Sequence, residues 1–227
     1  MFSKLKRFAD GRSQRRWSKT DISVEYEVLG SGYGGWPVAV GDVAAGTTIF
    51  SFGAGTDISF DLAAIERFGC KVLLFDPTPK SVAWINSQSL PEQLMFHPIG
   101  IDQSDGEVQL YSPSDPEHVS FAINPAPPAR GQFSITANVM RLETIVADIA
   151  CAPPDILKLD VEGFEYRVIA DILSGPIRPA QLLVEFHHGK YGFDINDTAR
   201  SVASLKTAGY RIFHVSLSGR EYGFIRP

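Results

Sequence analysis

The chain has 227 residues, 44% of them hydrophobic and 21% charged, which is enough for one sizeable α/β core and argues against disorder. Its formal charge of −5 is uneven: the first nineteen residues carry +6, leaving −11 on the rest. A body that acidic argues against a nucleic-acid groove as the main surface.

In chain order, a basic arm comes first: Lys4, Lys6, Arg7, Arg12, Arg15, Arg16 and Lys19 against Asp10 alone. It reads as a solvated terminus, the other readings being a contact to a membrane surface, an acidic partner or RNA. No apolar core follows it as in a secretory signal, and no apolar run approaches the ~20 residues that span a bilayer. Cys70 and Cys151 have no CxxC spacing. A reduced, cytoplasmic setting without a membrane span is therefore expected.

Residues 22–29 alternate loosely, as an added strand or a helical edge. The segment 30–38, GSGYGGWPV, holds four glycines, two aromatic residues and a proline. It is either a surface turn that pins Trp36 to the core or a loop that folds over a cofactor. Residues 47–52 form a β-branched and aromatic strand that stops at Gly53-Ala54-Gly55, after which Thr56 or Asp57 caps a helix carrying Ile58, Leu62, Ile65 and Phe68 and ended by Gly69. Residues 71–75 are a second strand closed by Asp76-Pro77. Gly53 and Asp76 are 23 residues apart, close to the ~20 between a nucleotide-binding glycine turn and the acid that takes ribose hydroxyls. Ile58 stands where a dinucleotide fingerprint has its third glycine, which suits a ligand without a pyrophosphate.

A helix is expected over 81–89 and a third strand over 93–101 with Asp102 at its end. Asp105-Gly106 then turns the chain into a hairpin strand at 108–111. Residues 113–128 hold five of the fifteen prolines, with His118, Ser120, Phe121 and Asn124 between them, and read as a substrate-side loop. Strand 133–142 and helix 143–149 lead to ILKLDVEGFEYRVI, residues 156–169, a strand running into a helix with Asp160, Glu162 and Glu165 around the junction. Acids there lie at the carboxyl ends of the strands, where open α/β sheets bind ligands. Strand 182–186 contains Glu185 and ends at His187-His188. Asp194 or Asn196 starts a helix with inner face Ile195, Ala199, Val202 and Leu205, and residues 210–215 and 222–225 close the chain as an antiparallel hairpin.

Two motifs resemble a known family. Lys158, Asp160, Glu162, Gly163 and Glu165 form a K-x-D-x-E-G-x-E pattern similar to the signature of the FkbM-type class I S-adenosylmethionine (SAM) methyltransferases. The block SFGAGTDISF…FDPTP, residues 51–79, resembles a related branch, as does the YGGW of residues 33–36. The resemblance implies a Rossmann-like three-layer α/β sandwich with a mostly parallel seven-stranded sheet in the order 3-2-1-4-5-7-6 and a C-terminal antiparallel hairpin. It implies an arm and loop over residues 1–40, then a methyltransferase domain over 41–227.

The resemblance also implies a cofactor site. Gly53 and Gly55, with Ala54 between them, line the methionine and ribose portion of SAM. Asp76, followed by Pro77, takes the ribose hydroxyls, Ile101 and Asp102 border the adenine, and Asp160 sits near the transferred methyl. Ser51 stands where many methyltransferases have an acid for the SAM ammonium, so Asp57 or Asp160 takes that contact. The implied reaction is O-methylation of a carbohydrate-like small molecule, leaving S-adenosylhomocysteine.

Positioning supplies much of such an acceleration, and a base adds about 10²–10⁴. Asp160, Glu162, His187 and His188 are the candidates, and a neutral imidazole at His187 or His188 is the best generic base. Glu165 reads as a helix-start acid favoured by the dipole. Asp160, Glu185 and His187 are acceptable ligands for Mg²⁺ or Mn²⁺, but the place of Glu185 inside its strand tells against a metal. The alternatives are an NAD-dependent oxidoreductase and a SAM-binding partner protein without catalysis.

Overall fold

The computed structural model describes residues 18–41, 43–112, 121–123 and 133–227. Nearly all of the basic arm, and His118, Ser120 and Asn124 of the proline-rich segment, lie outside the described residues. The elements run β1 (Tyr26–Leu29), β2 (Trp36–Ala39), β3 (Thr48–Phe52), α1 (Ser59–Phe68), β4 (Lys71–Phe75), α2 (Pro79–Asn86), β5 (Leu94–His97), β6 (Gly100–Ile101), β7 (Gly106–Tyr111) and β8 (Ser134–Met140). They continue with α3 (Leu142–Ile149), β9 (Ile156–Leu159), α4 (Glu165–Ser174), β10 (Gln181–Glu185), α5 (Ile195–Thr207), β11 (Arg211–Val215) and β12 (Glu221–Ile225).

Seven strands form the main sheet in the order β11-β12-β10-β9-β3-β4-β5. β12 runs antiparallel to both of its neighbours, while β9, β3, β4, β5 and β10 pair in parallel. Numbering only these seven and starting from β5, the order is the expected 3-2-1-4-5-7-6. It departs from the 3-2-1-4-5-6 order of the dinucleotide-binding fold, so the oxidoreductase reading is not carried further.

The strands are apolar on both faces because both faces are covered. Phe50, Phe52, Leu73, Phe75, Leu157, Leu159, Leu182 and Val184 point to one side, where Ile145 of α3, Val168, Ile169 and Ile172 of α4, and Val202 and Leu205 of α5 meet them. The alternate residues Ile49, Val72, Leu74, Ile156 and Leu183 point to the other, against Phe60, Ala64 and Ile65 of α1 and the β1–β2 hairpin. Trp36, Val38 and Ala39 of that hairpin are buried, and Gln181 of β10 clasps both backbone groups of Ala39, at 2.9 and 2.8 Å. The hairpin and the strands beyond it therefore share one core.

Three local expectations are corrected. The strand expected over 93–101 is two strands: β5 pairs with β4, and after Pro98, which cannot donate to a ladder, β6 pairs with β8 instead. β7 forms no hairpin with the strand before it; it pairs antiparallel with β8, giving a separate three-stranded sheet β6-β8-β7. Helix α2 starts at Pro79 and not at Ser81, with the proline in the first turn where its missing N–H costs nothing. By contrast, Asp194 caps α5 as expected and completes a capping box with Asp197. Among the described residues no helix is long and apolar enough to cross a membrane.

Candidate active site at the carboxyl ends of the parallel strands

The turn after β3 is built for close approach. Gly53 has φ +90°, and a Cβ placed there would lie 2.0 Å from the Asp160 carbonyl oxygen. The ends of β3, β4 and β9 are tied at this point, Gly53 N–H donating to Phe75 O at 3.0 Å and Asp160 N–H to Phe52 O at 3.1 Å. Only glycine fits. Gly55, at φ +53°, donates its N–H to Asp76 Oδ2 at 3.0 Å. Asp76 Oδ1 accepts from the Thr78 N–H and hydroxyl at 2.9 and 2.6 Å. Asp76 is thus buried and first of all shapes the glycine turn, with buried Ala54 inside that turn and Pro77 following.

Asp57 anchors the glycine-aromatic loop beside this turn. Its Oδ1 accepts the Ser59 N–H, the first of α1, and its Oδ2 the Ser31 hydroxyl, both at 2.8 Å. The Ser31 hydroxyl in turn accepts the backbone N–H groups of Tyr33 and Gly34. A Cβ on Gly34 would come within 2.7 Å of the Asp57 carboxylate. Tyr33 at the tip is 92% exposed, yet its hydroxyl is raised above its usual range by partial burial and by the charges of Asp160, Glu185, Glu162 and Asp57.

Asp160, Glu162 and Glu185 converge on His187. Its ring is 1% exposed, and Nε2 lies 3.2 Å from Glu162, 3.7 Å from Glu185 and 3.9 Å from Asp160. Nδ1 faces Glu165 at 3.3 Å. Glu165 is fully buried at the start of α4 and also accepts the N–H groups of His187 and Gly163, at 2.8 and 2.9 Å. Glu162 sits at φ +46° and accepts the hydroxyl of Tyr191, itself at φ +53°.

The electrostatics follow from this packing. Burial opposes a charge on the His187 ring, but its hydrogen bond to Glu165 and the charges of Glu165, Glu162 and Asp160 outweigh it and push the ring up to about 9. A ring raised in this way departs from the unperturbed value near 6.5 on which the expectation of a neutral imidazole base rested. Burial raises the Asp160 carboxyl against the pull of Lys158 and His187, and burial with Asp160 beside it takes Glu185 up to about 7.

Asp57, Gly53, Gly55 and Asp76 thus share one turn, and Asp160, Glu162 and His187 a second cluster that touches it through Asp160. Ile101 and Asp102 lie at the end of β6, which abuts the residues after β4: a Cβ on Gly100 would lie 3.3 Å from Pro77. Ile101 is buried in β6, and Asp102 is ion-paired with Arg167 of α4 at 2.6 Å, its N–H held by Met140. His188 leaves the cluster, with Nδ1 on Thr198 of α5 at 3.2 Å.

Three contributors escaped the sequence reading. Glu165 was visible in the motif, but a helix-start position does not reveal that the side chain turns inward. Lys158, buried at 4% exposure, donates to the carbonyls of Phe52 and Gly53 at 3.2 and 3.0 Å, with its Nζ 5.2 Å from the Trp36 ring. A lysine in an otherwise apolar strand was the available signal. Tyr191 had none.

Comparison with known proteins matches the model described as Methyltransferase FkbM domain to residues 42–212. The curated relatives include the human protein described as "Probable methyltransferase-like protein 24", 26% identical over an alignment of 176 residues that covers 73% of this chain and 42% of the relative. The rat protein of the same description is 25% identical over the same shares. The chain spans less than half the length of these relatives.

Proposed function

Since the chain belongs to the FkbM methyltransferase family, we propose that it methylates a hydroxyl of a carbohydrate-like small molecule at the cleft between Gly53 and the His187 cluster. The observation that carries this reading is the glycine turn. At Gly53 even a methyl group would collide with the Asp160 backbone, and Asp76 holds the Gly55 amide in place. That cradle fits S-adenosylmethionine, with Gly53, Ala54 and Gly55 approached along their backbone, Asp76 and Pro77 flanking them, and Asp57 beside the entrance. When bound, S-adenosylmethionine supplies a sulfonium methyl carbon open to in-line displacement by oxygen.

The chain's own residues do the rest by positioning. Asp160 is the acid that joins the cofactor turn to the cluster, so its carboxylate is placed to take the acceptor's proton. Glu162, fixed by Tyr191, and His187, fixed by Glu165, orient the acceptor against it. Alignment of this kind supplies most of the acceleration, and a positioned base adds about 10²–10⁴.

Calorimetry with S-adenosylmethionine and S-adenosylhomocysteine tests the reading. The wild-type chain binds both, Asp76→Asn binds at least about tenfold more weakly, and Asp160→Asn keeps binding while losing methyl transfer in a radiolabel screen of sugar-containing acceptors. A folded wild-type chain that binds neither nucleoside sinks the proposal. Binding without transfer to any acceptor favours the partner-protein alternative.

A further inference from the structure

We propose that Asp160, Glu185 and His187 form a binding site for a divalent cation of the Mn²⁺ type. The sequence told against a metal because Glu185 lies within its strand. The structure removes that objection: Glu185 is the last residue of β10, and its Oε1 reaches to 3.7 Å from His187 Nε2. Asp160 Oδ1 is 3.9 Å from the same nitrogen, and one ligand atom from each residue lies within 4.8 Å of the other two. Two ligands ~2.1 Å from one octahedral ion are ~3.0 Å apart when adjacent and ~4.2 Å when opposite. With the two carboxylates opposite one another, closing the set shortens their distances to His187 by roughly 0.7–0.9 Å, within the reach of side-chain rotation.

The second observation is independent of the acids. The His187 ring is wholly buried, and its orientation is fixed from behind by Glu165, which grips both Nδ1 and the backbone N–H of the same residue. Nε2 is thereby aimed into the cluster, 3.2 Å from Glu162, 3.7 Å from Glu185 and 3.9 Å from Asp160, and a cation bound there takes the place of the proton on that nitrogen, which is released to solvent. A histidine backed by a carboxylate and offering its other nitrogen is the arrangement that orients a metal ligand. The ammonium of Lys158, whose charge acts on Asp160, is committed to the carbonyls of Phe52 and Gly53. Two carboxylates with one imidazole suit Mn²⁺, which accepts both donor types, better than Mg²⁺, which prefers oxygen alone, or Zn²⁺, which prefers a richer nitrogen and sulfur set. The ion's use in holding an acceptor oxygen rests on the methyl-transfer reading; the site itself does not.

The full chain is titrated with MnCl₂ at neutral pH without S-adenosylmethionine, and free Mn²⁺ is read by electron paramagnetic resonance. About one Mn²⁺ per chain is expected. Glu185→Gln binds it at least about tenfold more weakly, and Glu165→Gln, which leaves the three ligands in place, about 10–100-fold more weakly. Circular dichroism confirms that each variant is folded, and Glu185→Gln, altered at the cleft and not in the core, carries the test if Glu165→Gln is not. No binding at millimolar Mn²⁺, or binding unchanged in Glu185→Gln, overturns the inference. S-adenosylmethionine calorimetry on the same preparations fails or succeeds separately, so loss of one reading is not mistaken for loss of the other.

Discussion

Gly53 carries the tightest steric constraint in the cleft, and Gly53→Ala is expected to cost about 2–4 kcal/mol, from a strained φ of +90° together with a backbone collision. Urea unfolding measures it, and unchanged stability would mean that the turn is not held as described. Asp61, in the first turn of α1, is 2% exposed, and burial pushes its carboxyl up to about 6 although Lys158 and the Ser51 hydroxyl pull it down. A carboxyl raised in the folded state stabilises most below its usual value near 3.8, and that contribution is lost as pH rises through about 6. The contribution is about 1–3 kcal/mol. Stability measured between pH 4 and 6 should therefore fall with pH in the wild type, and the slope should flatten in Asp61→Asn. Cys70 offers a simpler check. It is wholly buried, and burial takes its thiol up to about 11, so in the native chain a thiol reagent should modify the half-buried Cys151 first.

At the scale of elements, the β1–β2 hairpin depends on one distant side chain. Gln181 of β10 satisfies both the N–H and the carbonyl of Ala39, and all four groups are buried. Gln181→Leu strands two backbone groups and should cost about 2–4 kcal/mol in denaturant unfolding, with faster amide exchange in the hairpin than elsewhere. Equal exchange across the sheet would deny the hairpin this dependence. The strand-to-helix passage at β9 and α4 shows what an element's sequence conveys and what it omits. Apolar Ile156–Leu159, the acids and the helical rhythm beyond them place Asp160 at a strand end, as local pattern alone dictates. That Glu165 turns inward to hold His187 depends on β10 lying alongside β9, which no local pattern contains.

For the whole molecule, a chain begun after residue 40 should not fold. It lacks Leu29, Trp36, Val38 and Ala39, which share a core with Ile49, Val72 and Leu183. Large buried side chains contribute about 1.5–3 kcal/mol each against a net stability of about 5–15 kcal/mol. A truncated chain with a cooperative thermal transition like that of the full chain would show that the hairpin is dispensable for folding. Sequence by itself determined the order of strands and helices, the family motifs, the glycine turn and the acids at the strand ends, because period, turn chemistry and spacing are local properties. It also misjudged positions where a side chain's partner is remote in sequence. The strand expected over 93–101 divides because its second half finds β8, some forty residues on. The His187 ring is raised because Glu165 of α4, Glu162 of the turn before it and Asp160, just past β9, meet around it. Which acids meet, and what charge they impose on one buried ring, is decided only when the sheet brings β9 and β10 side by side, because burial and Coulomb energy depend on distance in space and not along the chain.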